Sequence, residues 1–192
     1  MNLYVGTSGY SYKEWKGNFY PSDLPGKLML NYYADRFRTV EINNTFYRMP
    51  GVSVLETWAA DVPADFRFVL KAPRQITHIK RLKDAGDSVS YLLEVAETLK
   101  ERLGPLLFQL PPNLKKDVPR LRAFLALLQP QFRTAFEFRH QYGSTKRSSG
   151  CCAIISLRCV SPRRRTISRF LSWRPGTGAI CVCAGPTTAM RS

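Results

Sequence analysis

Short β-prone runs alternate with amphipathic helical runs from Asn2 to Phe138, and then the alternation stops. Strands are predicted over 2–6, 39–43, 66–71, 106–109 and 134–138, each a compact apolar run. Helical spacing is predicted over 27–37, 52–62, 84–102 and 117–128, with Gly104-Pro105 closing the third run and Asp117 capping the fourth. Five strands separated by four helices, with no hairpin signal between them, imply right-handed βα units and a parallel sheet. A doubly wound sheet and a βα barrel both satisfy that pattern. In either, chemistry gathers at the carboxyl ends of the strands.

The break in pattern coincides with a break in composition. Residues 143–192 contain no Asp or Glu, eight Arg, one Lys and all five cysteines, whereas the first 142 residues hold all 14 carboxylates and no cysteine. At the acid density of the head, about five acids are expected in such a tail, and their absence has odds of roughly one in 200. The formal net charge of +15 would ordinarily point to nucleic acid, but most of the excess lies in this tail. The expected organisation is therefore a partial βα barrel over 1–141 and a disordered or loosely packed tail over 142–192.

The chain opens without a basic leader segment and has no run of 18 apolar residues, so a cytoplasmic protein with no membrane partner is expected. Cys151, Cys152, Cys159, Cys181 and Cys183 lack the paired two-residue gaps of common zinc sites, and two histidines are too few for a three-His centre. No metal is expected, and no motif identifies a cofactor.

The strand ends carry the polar residues. On the second strand, period-two alternation puts Glu41 and Asn43 on one side and Val40 and Ile42 on the other. With the apolar pair facing the helices, the carboxylate faces the barrel axis, where it is costly unless paired or functional. The other strands end on Lys71, on Gln109, and on Glu137 with Arg139 and His140. Glu41, Glu137, Lys71, Arg139 and His140 are the candidate catalytic groups. Glycines and aromatics crowd the first loop, where Tyr10, Tyr12 and Trp15 could stack on a ring or sugar or could plug the barrel mouth. Thr45, Tyr47, His78, Asn43 and Gln109 complete the candidate binding set. Charge balance among these groups also suits a buried network that only holds the barrel together, but their clustering at the strand ends favours the functional reading.

The segments GTSGYSYKEWKGNFYP, VEINNTFYRMP, FRFVLKAPRQITH, LGPLLFQLPP and EFRH resemble, in order, the YecE-like family, domain of unknown function 72. The resemblance runs over 2–140 and implies a βα barrel related to the eightfold barrel. It supplies an architecture, not a reaction. The expected fold class is α/β, an incomplete TIM-like (β/α) barrel with five parallel strands in the head and an irregular tail.

The family continues past EFRH with a Ser-Trp-Phe segment and has a Trp-Gly-Tyr-Leu-Arg-Leu-Arg strand near its end. Neither is written here. The codons CAG TCA TGG TTC GAC GAA GAG GTC encode Gln-Ser-Trp-Phe-Asp-Glu-Glu-Val, and deletion of the C of TCA turns the same bases into the Gln-Tyr-Gly-Ser-Thr-Lys-Arg found at 141–147. Residues 177–189 can likewise be written with bases that spell the missing strand in the shifted frame. A one-base frameshift near residue 141 is the expectation, which makes this chain a truncated, non-functional product with two exposed sheet edges. For the intact parent, the expected functions are an enzyme acting on a small polar ligand, sugar-like or phosphorylated, or alternatively a nucleic-acid or nucleotide binder. The second would use the aromatic loop with Lys80, Arg81 and Lys83.

Overall fold

The computed structural model describes residues 2–139 and the strand segments Ala153–Leu157, Ile167–Ser172 and Ala179–Ala184. Five strands form in the head: β1 (Asn2–Ser8), β2 (Thr39–Ile42), β3 (Arg67–Lys71), β4 (Leu103–Gln109) and β5 (Thr134–Phe138). They pair in parallel in sequence order, with Ser8 opposite Glu41, Glu41 opposite Val69, Lys71 opposite Leu107 and Gln109 opposite Glu137. This is a curled half-barrel, which settles the alternative the alternation left open in favour of the barrel that the family resemblance implies.

The helices are α1 (Met29–Ala34), α2 (Asn44–Tyr47), α3 (Val52–Ala60), α4 (Gly86–Glu97) and α5 (Val118–Leu125). A π-helical turn at Gln75–Ile79 follows β3. Every strand sends alternate side chains outward, so Val40, Ile42, Phe68, Leu70, Leu106, Phe108 and Phe136 share one large core with Leu55, Leu92, Val95, Leu99 and Phe124 of the helical layer. The opposite face carries a small separate cluster of Val69, Leu107 and Ala135. That cluster is an apolar floor, and the residues two positions further along the same strands lie above it.

Two glycines are required by close approach. A Cβ on Gly6 would lie 1.9 Å from the Thr39 carbonyl oxygen of the neighbouring strand, and one on Gly104 would lie 2.9 Å from the Phe68 carbonyl oxygen. Gly104 accompanies the irregular register between β3 and β4. The Gly104-Pro105 pair therefore sits inside a strand that starts at Leu103, three residues earlier than its breaker signal implied.

The tail does not leave the edges of the parallel set open. β6 (Ala153–Leu157) pairs antiparallel with β5, β7 (Ile167–Ser172) pairs antiparallel with β6, and β8 (Ala179–Ala184) pairs antiparallel with β1. The sheet order is β7-β6-β5-β4-β3-β2-β1-β8. The expectation of two bare edges is corrected by β6 and β8. An uncovered edge is a row of unpaired N–H and C=O groups that recruits any β-prone segment within reach. A parallel addition needs a crossover, usually helical, and the tail has no amphipathic helical run, so the added strands are antiparallel.

One consequence is visible on the outer face of β1. Val5 is 44% exposed there, because no helix among the described residues covers it.

Candidate site at the strand ends

The inward residues at the carboxyl ends of β1 to β5 form a continuous polar arc. Ser8 Oγ donates to Glu41 Oε1 at 3.3 Å, and the Asn43 amide donates to Ser8 Oγ at 2.6 Å. The Lys71 ammonium donates to Asn43 Oδ1 at 3.3 Å and stands 3.9 Å from Glu41 Oε1. Across the floor, the Gln109 amide donates to Glu137 Oε2 at 2.6 Å and Arg139 Nε donates to Glu137 Oε1 at 2.7 Å. Each of these side chains arrives by the same rule, period-two alternation on strands whose other face is committed to the helices.

Glu41 and Glu137 are both buried, at 7% exposure. Burial pushes the Glu41 carboxyl above its ordinary value; Lys71 opposes that shift, Glu137 adds to it, and Ser8 and Arg139 oppose it. Glu41 therefore feels both members of the opposite Glu137–Arg139 pair. The two halves of the arc form one electrostatic unit.

His78, from the π-helical turn, approaches the same region. Its Nδ1 lies 2.8 Å from Thr77 Oγ1, and its ring packs edge-on against Phe46. Burial lowers its pKa from 6.5, and the Lys71, Arg139 and Arg81 cations lower it further. The Lys71 ammonium lies 5.3 Å from the centre of the Phe46 ring, within reach of a cation–π attraction. Phe46 is thus a shared wall for Lys71 and His78.

The arc unites Glu41, Asn43, Lys71, Gln109, Glu137 and Arg139, with His78 beside them. It does not include every candidate. Thr45 is fully buried, and its hydroxyl is engaged with the Ile42 and Lys71 carbonyl oxygens, tying α2 to β3. Tyr47 is 71% exposed at the end of α2. In the first loop, Tyr10 packs on Tyr33, while Trp15 packs on Tyr12, Phe19 and Tyr20. The Tyr12 hydroxyl donates to the Ser8 carbonyl, which brings the rim of that aromatic cluster beside the arc. His140 lies outside the described residues.

Ser8 was not singled out from the sequence. It occupies the inward face of β1 two residues beyond Gly6, and extending the first strand by two residues would have found it. Lys80 donates to the Asp84 carbonyl oxygen and Arg81 grips Asn113, so these two charges also shape the loops above β3 and β4. Among the described residues, no three His, Cys, Asp or Glu side chains converge as a metal centre would require. No described helix is long and apolar enough to cross a membrane.

A half-barrel with a buried, mixed-charge arc at its strand ends belongs to the class of βα-barrel proteins. The particular assignment follows from comparison: the family described as "Protein of unknown function DUF72" matches residues 4–155, and the chain belongs to that family. It is 32% identical over 139 residues to the UPF0759 protein YecE of Escherichia coli K12, covering 72% of this chain and 48% of that protein. It is 25% identical over 147 residues to the UPF0759 protein YunF of Bacillus subtilis, covering 51% of that protein. The chain spans about half the length of these relatives. The crystal structure of a DUF72 family protein from Thermotoga maritima superposes with a TM-score of 0.61 at 35% identity, over 71% of this chain and 55% of that one.

Proposed function

We propose that the arc is the substrate-binding half of a βα-barrel enzyme that acts on a small polar, anionic ligand of the sugar-like or phosphorylated kind. The observation that carries this reading is Glu41: a buried carboxyl with a raised pKa, at the end of a barrel strand, 3.9 Å from a lysine ammonium. A carboxyl raised in this way at a strand end can serve as general acid or base. Lys71 and Arg139 would stabilise negative charge on the ligand, and Asn43 and Gln109 would orient it. His78, whose pKa burial and then the surrounding cations lower, would offer a ring nitrogen as acceptor or donor. The Glu137–Arg139 pair supplies the fixed side of the arc.

A purely structural network would place its charges in mutual contact and leave no free donors. Here, among the described residues, Lys71 makes one side-chain hydrogen bond, at 3.3 Å to Asn43, and a long ion pair to Glu41, an arrangement with capacity to receive a ligand anion. The nucleic-acid alternative draws no comparable support, since Lys80 and Arg81 both hold local loop structure.

We also propose that residues 142–192 are translated out of frame, so that the intact parent supplies the remaining βα units. The test of function uses both forms. Melting temperature is followed against hexose and pentose phosphates, the free sugars and inorganic phosphate, for the 192-residue chain and for the frame-restored protein. A saturable rise with a phosphorylated or sugar ligand is expected, lost in Lys71→Met. No rise in either form, or a rise that survives Lys71→Met, refutes the assignment of the arc.

A further inference from the structure

A depression lies outside the arc, on the outer side of the second βα unit. It is about 450 Å³ and is lined by Asn44, Tyr47, Arg48, Met49, Val54 and Trp58, with Pro50 at its edge. Its position follows from a change of geometry at the end of β2. Asn43 is the last residue that alternates inward; α2 begins at Asn44, and the helical turn carries Tyr47 and Arg48 away from the barrel axis.

The lining has an uneven chemistry. Two aromatic rings, a thioether, a proline and a valine offer flat apolar surface, and Arg48 is the only charged side chain among the lining residues. Trp58 is held in place by stacking on Phe68 of the core, with ring centres 6.0 Å apart. Tyr47 is 71% exposed, and its one described ring contact is an edge-on approach to Phe46. A large aromatic left this open beside a fixed indole and a lone guanidinium forms a surface that water solvates poorly and a flat anion would cover well.

We propose that this depression binds a planar ring that carries an acidic group. The ring lies against Tyr47 and Trp58, and the acidic group pairs with Arg48, assisted by the Asn44 amide. The site stands apart from the arc and does not depend on Glu41 or Lys71. All of its described lining residues fall between Asn44 and Trp58, within one βα unit.

The test uses 4-nitrobenzoate, a planar carboxylate that quenches indole fluorescence, titrated into the 192-residue chain. The uncharged 4-nitrobenzamide and ring-free acetate are the comparators. Saturable quenching is expected with 4-nitrobenzoate, at least tenfold weaker with 4-nitrobenzamide, and not displaced by equal acetate. Tyr47→Ala and Arg48→Gln change exposed side chains and are each expected to weaken 4-nitrobenzoate at least tenfold. Trp58→Phe keeps an aromatic wall and is expected to remove most of the quenching signal. Equal affinity for the carboxylate and the amide, unchanged binding in both Tyr47→Ala and Arg48→Gln, or no saturable quenching overturns the proposal.

Discussion

At the residue scale, the arc follows from alternation. Glu41, Lys71, Gln109 and Glu137 could be assigned to the inner face from sequence because Val40, Ile42, Phe68, Leu70, Phe108 and Phe136 plainly belong to the outer one. Thr45 and Tyr47 could not be placed the same way, because the strand gives way to a helix at Asn44 and the period changes from two to 3.6. The raised pKa of Glu41 has a stability consequence. The fold favours its protonated form, so its contribution is fully present below the ordinary value of 4.5 and is lost as pH rises through the folded value. Above the folded value the ionised carboxylate therefore costs stability, and Glu41→Gln relieves that cost. The variant's gain in melting temperature over the parent is expected to be larger near neutral pH than at about pH 4. Gly6→Ala is expected to act in the opposite sense. A Cβ 1.9 Å from the Thr39 carbonyl oxygen forces β1 and β2 apart, and urea denaturation should register a loss of roughly 1–3 kcal/mol.

At the scale of elements, the strands and longer helices were legible where apolar periodicity is strong, and their boundaries moved where local chemistry intervened. α5 begins where its cap directs: the Asp117 carboxylate accepts from the Arg120 N–H at 2.9 Å. Asp117→Ala leaves that donor without its partner, and a loss of about 1 kcal/mol is expected by thermal or urea unfolding. β4 was read too short because Gly104-Pro105 is ordinarily a breaker. Here the glycine is needed for close approach to β3, and the proline lies beside an irregular register. α2 and the π-helical turn were missed because segments of four and five residues are too short to display a helical period. Both carry residues of the site region, which is why the site was less legible than the sheet.

At the scale of the whole molecule, the chain joins five parallel strands with large shared cores to three antiparallel strands from a segment of different composition. The antiparallel strands satisfy edge hydrogen bonds, and among the described residues no helix accompanies them, while Val5 remains open on the outer face of β1. Helix packing supplies much of the apolar burial in a βα barrel, so the 192-residue chain is expected to unfold broadly and to aggregate, while its frame-restored counterpart melts in one cooperative transition. Differential scanning calorimetry distinguishes the two, and a sharp, reversible transition in the 192-residue chain would contradict the proposed origin of the tail.

The account rests on Glu41, Lys71 and Glu137 sharing one buried electrostatic unit at the strand ends. The most direct measurement is a pH titration of the Glu41 side-chain carboxyl by NMR in protein labelled with carbon-13 at glutamate. A midpoint above 4.5 is expected, rising further in Lys71→Met and falling in Glu137→Gln. A midpoint at 4.5 that neither substitution moves would contradict the account.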